Sequence, residues 1–186
     1  MIVEGLLTTT AADGRPHVAP MGPVVSTDFS SWTLRPFQTS STFAALRETP
    51  HCVFHIVDDV LPIVRTALGM KHDFQLQPHP DGGHIITDAC RWFRLEIQSW
   101  DISDLRSEAV ATVHSQGSLR DFWGWNRAKH AVLEATILAT RRHMLDAGHI
   151  ASELEKLESA VKKTCGPREW QAWTELTDFL AADHNR

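Results

Sequence analysis

The sequence predicts an α+β protein, mainly β with α, in which an antiparallel β-barrel at residues 1–120 is followed by a helical subdomain at 121–186. Two observations predict this. Short runs rich in β-branched and aromatic residues, separated by turn residues, fill the first part, as in closed or nearly closed antiparallel barrels. After the segment Gly117–Gly124, apolar residues instead recur every three or four positions, which is typical of amphipathic helices.

Composition and charge exclude several classes of protein. Hydrophobic residues make up 42% of the chain and charged residues 22%, a balance that can supply a globular core. The formal net charge is −5 and the basic residues are scattered among acids, so we expect no nucleic-acid partner. An acid stands at position 4, where a signal peptide would carry a base, and no apolar run approaches the ~20 residues that cross a bilayer. The three cysteines have no CxxC spacing and are expected as reduced thiols of a cytoplasmic protein.

The predicted barrel begins with a hairpin. Ile2–Thr10 is rich in β-branched residues, Ala12–Pro16 supplies turn chemistry, and His17–Val25 resumes an extended run. A third strand is predicted at Ser31–Arg35, and it stops at Pro36.

The middle of the chain alternates short helices and strands. Good helix formers behind a cluster of hydroxyls predict a helix at Thr42–Glu48, and a mostly apolar strand follows at Cys52–Val57. A second short helix is predicted at Leu61–Leu68, with Gly69 placed to end it. Met70–Gly83 has no clear period and several proline and glycine residues, so we expect a loop there.

Two further strands complete the predicted barrel. From Arg91, the apolar residues Phe93, Leu95 and Ile97 alternate with polar ones, which indicates a half-buried strand. A less regular strand is predicted at Ser107–Ser115.

Three helices are predicted for the second part. The first covers Asn126–Leu145, and apolar residues at helical spacing place the second over Ile150–Val161. Gly166-Pro167 ends that helix and begins the next, which includes Trp170–Leu180.

The segment Leu34–Thr42 carries the clearest chemical pattern, because a strand ends at Arg35 and a hydroxyl-rich turn leads directly into a helix. The first turn of a helix has unpaired N–H groups and a partial positive charge, so it attracts anions. Arginine adds a charge with the fork geometry that suits phosphate. The alternative is that Ser40 or Ser41 only caps the helix, which is the simpler interpretation of this turn taken alone.

The predicted strand around Val18–Pro23 is also unusual. Two prolines cannot both join a central ladder, so part of this strand must be an edge or a bulge. Gly22 would let a flat ring approach the backbone, although an irregular edge strand without any ligand explains the same residues.

No metal site or catalytic residue is predicted. His51 and His55 lie four residues apart, on one face of the predicted strand, but the histidines form no recognised ligand set. The sequence contains no Gly-x-Ser-x-Gly elbow, no Walker loop and no Gly-x-Gly-x-x-Gly turn.

Taken in order, these motifs resemble the flavin reductase-like FMN-binding split-barrel superfamily. The Ala19–Gly22 strand and the Arg35–Phe37 segment with its hydroxyl turn carry this likeness. A more specific motif, the Asn-Arg-Ala helix start in Gly124–Ala128, resembles a prokaryotic family of unknown function within that superfamily. The remaining segments that fit this family are Glu134-Ala135, Ala139–Arg142, Lys162–Gly166 and the helix of Trp170, so the resemblance spans nearly the whole chain.

The resemblance implies a homodimer of six-stranded split barrels with FMN at the subunit interface. The phosphate would lie at Arg35 and Ser40–Thr42, and the isoalloxazine against Ala19–Gly22. Related barrels often carry an Asn on the strand after the short helix, where this chain has His55. The cofactor-binding residues assigned in this way are Ala19, Met21, Gly22, Arg35, Phe37, Ser40, Ser41, Thr42 and His55.

Two points stay open at the level of sequence. Asn126 and Arg127 could contact flavin, hold the helical part or line the dimer seam, and a structural role is favoured because Asn at a helix start is a good cap. The function could be that of an FMN-dependent oxidoreductase using NAD(P)H or of a non-catalytic flavin carrier. A third hypothesis is a dimeric scaffold that has lost its flavin or exchanged it for a deazaflavin or haem.

Overall fold

The structure, a computed structural model, describes residues 1–183. Its strands are β1 (Gly5–Thr10), β2 (Pro16–Met21), β3 (Val24–Val25), β4 (Ser31–Leu34), β5 (His51–Ile56), β6 (Leu76–Pro78), β7 (His84–Ile86), β8 (Arg91–Asp101) and β9 (Glu108–Ser118). Its helices are α1 (Ser41–Glu48), α2 (Leu61–Ala67), α3 (Arg127–Thr140), α4 (Ala147–Thr164) and α5 (Pro167–Asp183). None of the described helices is both long enough and apolar enough to cross a membrane.

Seven antiparallel strands form the main sheet, in the order β2-β1-β5-β8-β9-β4-β3. This confirms the α+β class, but the expectation of six strands is wrong. The run predicted as one strand at His17–Val25 is divided at Gly22-Pro23, so that β2 pairs with β1 and β3 pairs with β4. A proline has no N–H to donate to a ladder, which explains why the run divides at this point.

The N-terminal residues curl the sheet back on itself. The residues just before β1 pair with β3, through a bridge between Ile2 and Val24. The N–H of Val3 donates to the Pro23 carbonyl at 3.1 Å, and the N–H of Val25 donates to the Met1 carbonyl at 2.7 Å. The last strand of the sheet is thereby joined to the chain that leads into β1.

The core of this barrel is aromatic at its centre. The indole of Trp32 packs at 5.1 Å from the Phe54 ring and 4.9 Å from the Phe93 ring, measured between ring centroids. Residues Cys52 and Phe54 of β5 belong to this core, as does Leu95 of β8. The alternation predicted for β8 is therefore confirmed in its core-facing residues.

The hairpin β6–β7 covers the other face of β5. The sequence predicted a loop at Met70–Gly83, which is wrong because β6 lies within it and pairs with β7. A strand of three residues is too short to show a period in the sequence. The hairpin is held by the buried Arg94, whose Nε donates to the Gly82 carbonyl at 3.1 Å and whose Nη2 donates to that of Asp81 at 2.5 Å.

His55 fastens β7 to the barrel. Its ring is 0% exposed, its Nδ1 lies 3.2 Å from the Leu6 carbonyl, and its Nε2 accepts the N–H of Ile86 at 3.0 Å. These partners require the neutral tautomer with the proton on Nδ1. Burial lowers the pKa of His55 to about 4, and the bond to the Leu6 carbonyl opposes part of that shift.

The helices form a second compact unit, built from Asp58–His72 and the described residues from Trp123 to Asp183, while Met1–Val57 and Asp73–Phe122 form the barrel unit. Helix α2 is thus part of the helical unit, and its Arg65 forms an ion pair with Glu175 of α5 at 2.6 Å. The core cluster of this unit consists of the buried apolar residues Val60, Leu61, Val64, Ala131, Val132, Ala135, Ala139, Ile150, Val161, Ala172, Trp173, Leu176 and Leu180. The division of the chain at residue 120 stays a prediction.

Asn126 has the structural role that the sequence favoured. Its Oδ1 accepts the N–H groups of Ala128 at 2.8 Å and Lys129 at 3.2 Å, which caps α3. Its Nδ2 donates to the carbonyl of Thr164 at 3.0 Å, so the same side chain also joins α3 to the end of α4. Helix α3 itself ends at Thr140, earlier than the predicted Leu145, and a run of turns follows it.

Replacing Asn126 should destabilise the helical unit. We expect Asn126→Ala to lower the free energy of unfolding by about 1–2 kcal/mol, because both the cap and the bond to α4 are lost. Asn126→Asp keeps the capping oxygen but not the amide donor and should lose less. Urea unfolding of both variants measures this, and an unchanged stability of Asn126→Ala would contradict the assigned role.

The buried His55 should make stability depend on pH. The unfolded chain protonates this residue below its ordinary pKa of 6.5, whereas the folded chain does not until pH falls to about 4. Stability from His55 is therefore fully present above pH 6.5 and is lost as pH falls toward 4, by on the order of 3 kcal/mol. Urea unfolding at pH 7 and pH 4.5 should show a smaller loss for His55→Asn than for the wild type, while the exposed His130→Asn should behave as the wild type does.

Candidate functional site

The turn between β4 and α1 is fastened to the connection between β8 and β9. The carbonyl of Pro36 accepts both the N–H of Ser107 at 3.1 Å and its hydroxyl at 2.8 Å. Gln38 adds three bonds to the same connection, from its N–H to the Leu105 carbonyl and from its Nε2 to the carbonyls of Ile102 and Asp104. These bonds hold the turn in one conformation on the end of the barrel.

The serine residues of the turn divide into a cap and an open donor. Ser40 is the cap of α1, because its Oγ accepts the N–H of Phe43 at 3.1 Å and donates to the Phe37 carbonyl at 2.7 Å. Ser41 is exposed, whereas Thr42 is buried. The N–H groups of Ser41 and Thr42 have no hydrogen-bond partner within the part of the chain that the structure describes. The turn therefore combines a local cap with two open backbone donors and the exposed hydroxyl of Ser41.

Two arginines stand beside this turn. The Nε of Arg35 lies 3.0 Å from Glu108 Oε1, and both side chains are about half exposed. The Nε of Arg106 donates to the carbonyl of Arg35 at 2.9 Å. The guanidinium of Arg106 lies over the ring of Phe37, 5.0 Å from its centroid. Phe37 thus supports Arg106, and the turn presents two positive charges.

The sequence predicted Arg35 but missed Arg106 and Glu108. These two residues reach the turn only because Leu34 of β4 pairs with Ala109 of β9, and because Phe37 forms a bridge with Arg106. No local pattern marks them, since 71 residues separate the carbonyl of Arg35 from the side chain that binds it. A correct pairing of β4 with β9 would have been the only signal.

The segment predicted to face a flat ring is an edge, as its prolines indicated. Strand β2 is the first in the sheet order, and Ala19 and Met21 are half-buried there. A Cβ on Gly22 would lie 2.8 Å from Glu4 Oε1, so the Glu4 carboxylate occupies the space that glycine leaves. Helix α1 packs against β1 and β2, which places the turn and this edge on the same side of the barrel.

His55 lies apart from this arrangement. Residue 55 points to the face of β5 that β7 covers, and both ring nitrogens are bonded there. No ring nitrogen is left for a ligand. The structure therefore brings together Arg35, Phe37, Ser40, Ser41 and Thr42 in one turn near β2, and gives His55 a separate role in the barrel.

The described residues contain no cluster of side chains suited to a metal ion. Among residues 1–183, no group of three or more histidine, cysteine, aspartate or glutamate side chains could hold a metal ion. The turn offers hydrogen-bond donors and positive charge, which suit an anion such as a phosphate monoester.

Comparisons with solved structures identify similar folds. An FMN-bound protein from Methanosarcina mazei, of the DUF447 family, superposes with a TM-score of 0.82 at 22% identity, over 96% of this chain and 94% of that one. An FMN-binding protein from Thermus thermophilus has a TM-score of 0.54 at 12% identity, over 63% and 70%. A flavin reductase domain protein from Arthrobacter sp. FB24 has a TM-score of 0.53 at 17% identity, over 63% and 79%. At these identities the likeness shows the fold alone.

Sequence comparison gives the family. No curated protein matches the chain. The N-terminal domain of a protein of unknown function, DUF447, matches residues 3–117, and the C-terminal part of the same family matches residues 126–178. Together these matches cover most of the chain, which belongs to the DUF447 family.

Proposed function

We propose that the protein binds FMN at the β4–α1 turn and works as a flavin-dependent oxidoreductase. The observation that carries this is the turn itself, which contains Arg35 and, at the start of a helix, the open N–H groups of Ser41 and Thr42. The FMN-bound relative of the same family, superposed over 96% of this chain, supports the choice of FMN among anionic ligands.

The residues of the turn fit a phosphate monoester. Its charge near neutral pH lies between about −1.5 and −2, and it accepts hydrogen bonds through three oxygens. Arg35, the two open N–H groups and the Ser41 hydroxyl supply positive charge and donors for them. The isoalloxazine would extend toward Ala19–Gly22 on the same side of the barrel, where the Glu4 carboxylate would have to move away from Gly22.

The flavin, when bound, supplies hydride or electron transfer. The chain holds the phosphate through Arg35, keeps the turn rigid through Ser107 and Gln38, and limits the space beside the ring with Glu4 and Met21. The electron donor in this proposal is a reduced nicotinamide nucleotide.

The proposal includes a homodimer with flavin at its interface. Three apolar side chains next to the turn are exposed, namely Phe37 at 49%, Ile102 at 50% and Leu105 at 70%. Exposed apolar groups gathered at one place favour contact with another protein surface. A second copy of the chain would cover them and would close the open side of the turn.

The second candidate is a non-catalytic flavin carrier, favoured by the lack of any histidine or cysteine in the Arg35–Thr42 turn. An absorption spectrum of the purified protein tests the cofactor, since flavin, deazaflavin and haem differ in their bands. Anaerobic mixing with NADH or NADPH then tests the enzyme. We expect the flavin absorbance to bleach, and a flavin that stays oxidised with both nucleotides would favour the carrier.

Arg35 should contribute directly to FMN affinity. We expect Arg35→Ala to weaken FMN binding by about 1.5–3 kcal/mol, because a charge-assisted bond to the phosphate is lost. Arg15→Ala is the matched control, since Arg15 is an exposed arginine paired with Asp13 in the β1–β2 turn. Quenching of FMN fluorescence gives both dissociation constants. An unchanged constant for Arg35→Ala would place the phosphate elsewhere.

A further inference from the structure

We infer that Arg106 is a second phosphate-binding cation, and that the pair Arg35–Arg106 makes the site select phosphorylated flavin over riboflavin. The inference rests on the proposed FMN site and deepens it, because it names the residue that sets which flavin is bound. It starts from the way in which the two guanidinium groups are held.

Each of the two arginines is held in place through its own Nε atom. Arg35 uses its Nε to meet Glu108 at 3.0 Å, and Arg106 uses its Nε to bind the carbonyl of Arg35 at 2.9 Å. Within the described chain, neither guanidinium has a hydrogen-bond partner at its terminal nitrogens Nη1 and Nη2. Arg106 is therefore oriented by one hydrogen bond and Arg35 by one ion pair, and the terminal nitrogens are the donors that match two oxygens of a phosphate.

The position of Arg106 is set by the backbone. Arg106 forms an antiparallel bridge with Phe37, and the next residue, Ser107, donates twice to the Pro36 carbonyl. The guanidinium also lies over the Phe37 ring, a contact between a cation and an aromatic face that restricts its motion. Changes to the Arg106 side chain leave the backbone bonds in place, so they test the charge with little effect on the turn.

Within the described residues, the Arg106 guanidinium forms no ion pair, so its charge is available to an anion. Glu108 pairs with Arg35 and offsets one of the two positive charges. A phosphate brings the charge that this arrangement lacks, and riboflavin, which has only a hydroxyl there, does not.

The test compares two flavins on a small set of variants. Dissociation constants for FMN and riboflavin are measured by fluorescence quenching on the wild type, Arg106→Ala, Arg106→Lys and the control Arg15→Ala. We expect Arg106→Ala to weaken FMN roughly 10- to 100-fold and to leave riboflavin unchanged. Arg106→Lys should recover part of the FMN affinity, because the charge is kept while the Nε tether is lost. Arg15→Ala should change neither constant.

Three results would overturn the inference. An equal loss for FMN and riboflavin in Arg106→Ala would mean that this residue supports the ring or the fold. Equal dissociation constants of FMN and riboflavin for the wild-type protein would mean that the site does not recognise the phosphate. A wild type that binds neither flavin would remove the proposed function, and this assignment with it. If Arg106→Ala does not fold, Arg106→Gln provides the same comparison with a long uncharged side chain.

Discussion

The pairing of β4 with β9 is the constraint on which the candidate site depends. Strand β4 ends at Leu34, directly opposite Ala109, so the residues after one strand meet the residues before the other. The two hydrogen bonds from Ser107 to the Pro36 carbonyl then fix the turn where these two segments meet. The support of Arg106 by Phe37 and the placement of Arg35 beside Glu108 both follow from this register. A shift by one residue would send these side chains to the opposite face of the sheet.

Local patterns account for the parts of this structure that the sequence predicted. The alternation from Phe93 to Ile97 gave a strand, and Asn126 gave a helix start, because each signal is contained within a few neighbouring residues. The prolines around Gly22 correctly indicated an edge, yet they did not show that the run would divide and raise the strand count to seven. That outcome depends on which partner each half of the run finds in the sheet.

The rest could not be predicted because it depends on pairing across long stretches of chain. Arg106 and Glu108 belong to the turn only through the sheet register. His55 lies on the strand where the family resemblance suggested a ring contact, but the hairpin β6–β7 covers that face of the strand. Its Nε2 is bonded to Ile86 of β7 and its Nδ1 to the Leu6 carbonyl of β1. Since β6 has only three residues, no pattern in the sequence predicted that a hairpin covers this face of β5. The same polar residue type can bind a ligand or fasten a hairpin, and only the neighbouring strand decides which.

The helical unit is assembled from two pieces of chain, Asp58–His72 and the residues that begin at Trp123. In the sequence, the barrel segment Asp73–Phe122 lies between them. Helix α2 and its N-cap residue Val60 supply Val60, Leu61 and Val64 to a core whose other residues come from α3, α4 and α5. Truncating the chain after residue 120 would therefore remove the apolar partners of α2. Its apolar face would then be exposed to water and would promote aggregation. Excision of the barrel as a free-standing protein needs α2 redesigned with a polar surface, or the C-terminal helices supplied in trans as a separate polypeptide.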